Sequence, residues 1–145
     1  MANRRSVIAA LVLISVASLS LPSLATDDDA QPLGLKGYDV VSYFQLGKAQ
    51  LGTRQFQMEY DGRRYQFLNA QHKATFVGDP EHYLPQFAGF CAAGVSKGKK
   101  VVADPTAWRI IDGKLYVFSS AKALEMLDKD PDLLNRSKES WNSMK

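Results

Sequence analysis

The segments YDGRRYQFLNAQHKATFVGDPEHY (residues 60–83) and IDGKLYVFSSAKALEMLDKDPDLL (residues 111–134) align without a gap at an offset of fifty-one residues, 112 − 61 = 51. Asp61 falls on Asp112, Gly62 on Gly113, Tyr65 on Tyr116 and Phe67 on Phe118; further on, Ala70 falls on Ala121, Asp79 on Asp130 and Pro80 on Pro131. An ungapped match that reaches the second Asp-Pro reads as internal duplication. In the first copy Phe56, Met58 and Tyr60 alternate with Gln57 and Glu59, the period of a half-buried strand. Asp61-Gly62 then suits a two-residue hairpin turn, because both residue types accept positive φ. Arg63 to Leu68 is the return strand, Asn69 a helix cap, Ala70 to Val77 a helix, and Pro80 the start of a second short helix. The second copy repeats this plan with Trp108 to Ile111, the turn at Asp112-Gly113, Leu115 to Phe118, and a cap at Ser119 or Ser120. Pro131 is expected to open the last helix, on which Leu133, Leu134, Ser137 and Trp141 share a face.

The predicted fold class is therefore α+β: a small antiparallel sheet of two β-hairpins with helices packed on one face, made from a duplicated hairpin/helix unit. The first unit runs over 56–84 and the second over 107–144, joined by a central loop, PQFAGFCAAGVSKGKKVVAD, at 85–104. Loops of that length tend to be functional, and its apolar content argues against disorder. Upstream, LKGYDVVSYF packs Val40, Val41, Tyr43 and Phe44 into a short apolar stretch that reads equally as helix or strand.

The amino-terminal 25 residues read as a cleaved export signal. Arg4 and Arg5 precede the apolar run Val7 to Leu21, and Ser23-Leu24-Ala25 is a small-x-small cleavage site. Serines and Pro22 make the run a poor membrane span, so no stable span is expected after cleavage. Residues 26–34, with Asp27, Asp28 and Asp29, form a solvated leader, and 35–145 a single domain. The expected location is periplasmic or secreted. Loss of Arg4 and Arg5 leaves 18 − 2 = 16 basic against 15 acidic residues, a near balance that gives no case for nucleic acid.

The one cysteine, Cys91, has no internal disulfide partner, and lies among Gly89, Phe90, Ala92, Ala93 and Gly94. Such small neighbours admit a ligand close to the backbone or let the segment pass tightly under the sheet. Lys97, Lys99 and Lys100 would activate the thiol if the loop folded back over it. GVSKGKK is one residue short of a phosphate loop and has no Ser or Thr after the lysine, so it reads as a solvated basic turn, with weak binding of an anionic ligand or a membrane surface as its outside use. Cys91, Tyr38, Asp39 and Tyr43 make the best small-ligand site the chain offers. A metal site would draw on His72 and Cys91, with a transition metal such as copper or zinc as the cofactor.

The repeated segment, with LKGYDVVSYF, FAGFCAAGVSKGKK and DPTAWRIIDGKLYVF, resembles the exported YHS-domain-containing family across nearly all of the chain after Leu35. YHS domains occur in copper-transporting ATPases, in some multicomponent hydroxylases and in many exported bacterial proteins. The resemblance implies the hairpin/helix fold, and in the metal-handling branch a thiolate site on a Cys-Ser pair and a following helical Cys. Here those positions are Leu68, Asn69 and His72, and Val40 stands where the subfamily has proline. There is no Ser/His/Asp order, paired-carboxylate motif or cofactor fingerprint, so an enzyme is not expected. The expected function is a small exported binding module for a metal ion or small ligand near the central loop. The alternatives are a structural or protein-interaction domain of the cell envelope with Cys91 buried, and a thiol-based redox protein.

Overall fold

The computed structural model describes residues 31–145; the stretch expected to be an export signal, 1–25, and most of the expected leader, 26–34, lie outside the described residues. The chain is α+β, and each half runs through the same sequence of elements. In unit one (33–84) a tight 3₁₀ turn, Gly34–Gly37, leads into α1 (Val40–Gln45), the hairpin β1 (Thr53–Tyr60) and β2 (Arg63–Phe67), then α2 (Ala70–Gly78) and α3 (Pro80–Tyr83). In unit two (85–143) the turn Gln86–Gly89 leads into α4 (Ala92–Val95), the hairpin β3 (Asp104–Ile111) and β4 (Lys114–Phe118), then α5 (Ala121–Lys129) and α6 (Leu133–Ser143).

The duplication is thus longer than the ungapped match suggests. Residues 85–104 are the entry arm of the second unit and carry its turn and its first helix. Even the strained backbone is copied: Leu35 and Lys36 have φ of 47° and 54°, and Phe87 and Ala88 have φ of 57° and 51°. Each turn is followed by a left-handed glycine, Gly37 or Gly89. Four non-glycine residues in this region cost roughly 1–2 kcal/mol apiece, which the surrounding packing has to offset.

Both Asp-Gly turns take the positive φ at both positions that a tight hairpin needs: 47° and 69° at Asp61 and Gly62, 51° and 70° at Asp112 and Gly113. Each hairpin has an irregular register at the same place, between Thr53 and Gln57 and between Asp104 and Trp108. The two hairpins remain separate two-stranded sheets. The reason lies at their edges. Leu33 forms a parallel bridge to Arg64 on β2, and Pro85 a parallel bridge to Leu115 on β4, so the arm of each unit occupies the edge by which the hairpins could have joined.

The helix starts follow from local chemistry. Asn69 accepts from the backbone N–H of His72 at 2.8 Å and Ser120 from that of Ala123 at 3.1 Å, which caps α2 and α5. GYDVVSYF resolves as helix because the Asp39 carboxylate caps it, accepting from Val41 N–H at 2.8 Å. Pro80 opens α3, whereas Pro131 and Asp132 form a turn and the last helix starts at Leu133.

Strand β4 divides two cores. Leu115 and Val117 face a cluster with Val40, Val41, Phe67 and Phe76, while Tyr116 and Phe118 face a second cluster with Cys91, Val95 and Leu133. This strand is buried on both faces, so its four residues Leu115–Phe118 are all apolar or aromatic. Tyr43 ties the halves together: its hydroxyl donates to the Pro105 carbonyl at 2.9 Å, and its ring meets Trp108 edge-on at 5.0 Å.

Candidate functional site

Each unit brings three things to one place: the residue that starts its first helix, the end of its return strand, and the first turn of the helix that follows the hairpin. In unit one these supply Asp39, Leu68 and His72. Asp39 is fully buried, and its carboxylate accepts from Val41 N–H and Leu68 N–H, both at 2.8 Å, and contacts His72 Nδ1 at 2.6 Å. A carboxylate takes only donors, so Nδ1 carries the proton. Three donors compensate the loss of water, and His72 itself is almost wholly buried. The place is filled.

In unit two the same place holds Cys91, Ser119 and Ala123. Cys91 stands at the start of α4 as Asp39 stands at the start of α1, and its Sγ lies 3.5 Å from Ser119 Oγ. Ala123 has no side chain that could reach across as the His72 ring does. What remains is an open cleft of about 260 Å³, whose lining includes Cys91, Ser119, Ala123 and Met126. Lys97 and Lys99 also line it. The basic loop does fold back: Lys97 N–H and Lys99 N–H both donate to the Gly94 carbonyl at 3.0 Å, and Gly98 takes a φ of 72° to close the turn. Gly94 is required for this approach, since a Cβ there would stand 2.7 Å from a Val101 methyl. Lys100 leaves the cleft and lies over the Trp141 ring, 5.5 Å from its centroid.

The residues singled out from sequence are therefore distributed over two cores. Asp39 and His72 are in contact, Tyr43 is buried in the same first core, and Tyr38 packs against that core while bridging Leu51. Cys91 belongs to the second core and is 1% exposed. His72 thus belongs to unit one and Cys91 to unit two. Among the described residues no three His, Cys, Asp or Glu side chains gather where they could hold a metal ion. Ser119, Ala123 and Met126 were not legible as site residues, although extending the offset of fifty-one would have set Ser119 on Leu68 and Ala123 on His72.

No helix among the described residues is long and apolar enough to cross a membrane. No protein-family model, curated protein or solved structure matches the chain.

Proposed function

We propose that the chain is a small exported YHS-type binding module that seats a small anionic ligand in the cleft above Cys91. One observation carries this reading: the place plugged by Asp39 and His72 in unit one is open in unit two, and two lysines are among the residues that line it. Two lysines and a serine in the lining of one recess favour an anion and disfavour a free metal cation. Ser119 Oγ is available as a donor to the ligand, and the thiol serves as floor rather than as reagent because almost none of its surface meets solvent. A periplasmic or secreted location fits a module that captures a small solute outside the cytoplasm.

The test is a titration of the domain with inorganic phosphate and with malonate at constant ionic strength, followed by the backbone amide signals. The amides of Gly94 to Val101 and of Ser119 should move saturably, and Lys97→Gln with Lys99→Gln should abolish the movement. Unmoved signals at millimolar anion would end the proposal. The second reading, an interaction or structural domain of the envelope, is favoured by the burial of Cys91. It gains if the anions do nothing and a thiol reagent labels Cys91 only as fast as the domain unfolds.

A further inference from the structure

The two strained turns meet at the seam between the units, and the hollow between them has no role in the reading above. Lys36 from the first turn and Ala88 and Gly89 from the second line a single recess of about 140 Å³. Its walls are apolar: Leu33, Leu35, Phe90 and Val102 contribute to them. Leu33 and Val102 are left 38% and 65% exposed, so apolar surface remains to be covered there. Two cations, the exposed Lys36 and the half-buried Arg63, complete its lining. Asp104 interacts with Lys36, but its own carboxylate is turned onto Thr106, accepting from the backbone N–H at 2.9 Å and the hydroxyl at 2.7 Å.

Left-handed geometry at Leu35, Lys36, Phe87 and Ala88 is expensive, and strain of this kind concentrates where backbone is held for a ligand. The recess is close in size to the apolar cavity of about 150 Å³ that admits benzene. The geometry points to a second binding site here, for a small apolar carboxylate of aromatic or branched-chain type: the hydrocarbon fills the hollow and the carboxylate meets Lys36 and Arg63. Its ligand bridges the two units, since it touches the entry turn of each.

Sodium benzoate is the probe, with benzyl alcohol as its uncharged counterpart, and backbone amide signals report the place. Benzoate should shift the amides of Leu35 to Gly37 and of Ala88 to Phe90 saturably, at least about fivefold more tightly than benzyl alcohol, as expected when a charge-assisted contact is added. Lys36→Asn keeps the fold, because asparagine accepts positive φ, and should weaken benzoate while leaving benzyl alcohol unchanged. Val102→Glu, at an exposed position, should repel benzoate by setting a like charge at the mouth. Equal affinity for the two probes, no saturable shift at the seam, or shifts confined to Gly94 to Val101 and Ser119 would each overturn the inference.

Discussion

Asp39 and Cys91 occupy the same position in the two units, each starting the first helix after a left-handed turn and a short bridge, with Tyr38 paired to Leu51 in one and Phe90 to Val102 in the other. Their offset is 91 − 39 = 52, one more than the offset of the hairpins, so a single residue has been lost between α4 and β3 relative to α1 and β1. From this correspondence follows the asymmetry of the molecule. A buried carboxylate with three donors seals unit one, and a thiol beside a hydroxyl leaves unit two open.

If the two places are equivalent, the plug should be transferable. Cys91→Asp alone buries a carboxylate without its imidazole partner and should destabilise the domain by about 2–4 kcal/mol. Adding Ala123→His should return at least half of that loss and close the cleft to anions. Urea unfolding of the single and double variants reads the first effect, and amide titration with phosphate the second. A double variant no more stable than Cys91→Asp would show that the units differ in backbone at this point.

His72→Ala removes one of the three donors from Asp39 and leaves the charge in an apolar surround. The expected loss is about 3–5 kcal/mol, the usual result of deleting one member of a buried pair. Asp39→Asn with His72 retained should cost less, because no charge is stranded, even though the one amide oxygen meets only Val41 N–H, on the Oδ1 side, or Leu68 N–H, on the Oδ2 side. Denaturant midpoints of the two variants, compared at neutral pH, give the order.

Much of the fold was legible because its punctuation is local. Asp61-Gly62 and Asp112-Gly113 dictate hairpins, Asn69 and Ser120 cap helices, and alternation at Phe56, Met58 and Tyr60 marks a strand. The separation of the hairpins was not legible, since it depends on Leu33 and Pro85 reaching an edge far along the chain. Nor was the entry arm of unit two. LKGYDVVSYF and FAGFCAAGVS share little beyond one glycine and the residues that pack behind it, and their shift by one residue breaks the ungapped alignment. The site split for the same reason: Asp39 and Cys91 read as neighbours across the loop, whereas each starts the first helix of a different unit.

Alkaline pH should unfold the domain through its buried phenols. Burial pushes the Tyr65 phenol up to about 12, with the nearby Arg63 partly opposing it, and burial pushes Tyr43 higher still. The folded chain therefore holds these protons where the unfolded chain, with tyrosines near 10, releases them. Stability from this source is complete below pH 10 and falls as pH rises from 10 towards 12. Tyr65→Phe should make that fall shallower, by roughly 3 kcal/mol across the window. Urea midpoints taken from pH 8 to 12, with phenolate absorbance alongside, check the sign and the size.

Two glycines should respond oppositely to alanine, and the contrast tests how closely the arm of unit one lies on its hairpin. A Cβ at Gly52 would stand 2.3 Å from the Gln66 carbonyl carbon and 2.5 Å from Phe67 N, both backbone atoms of β2. Neither can swing aside, and Gly52 N–H is itself held by the Gly37 carbonyl at 2.8 Å. Gly52→Ala should therefore pry β1 from β2 beside the irregular register at Thr53 and cost about 3 kcal/mol. At Gly78, the last residue of α2, nothing lies within 4 Å of the added methyl. There alanine only narrows the freedom of the unfolded chain, and Gly78→Ala should stabilise by about 0.5 kcal/mol. Thermal midpoints that fall for the first variant and rise for the second would bear out the close packing at Gly52; a neutral Gly52→Ala would mean that the arm can lift from the hairpin without loss.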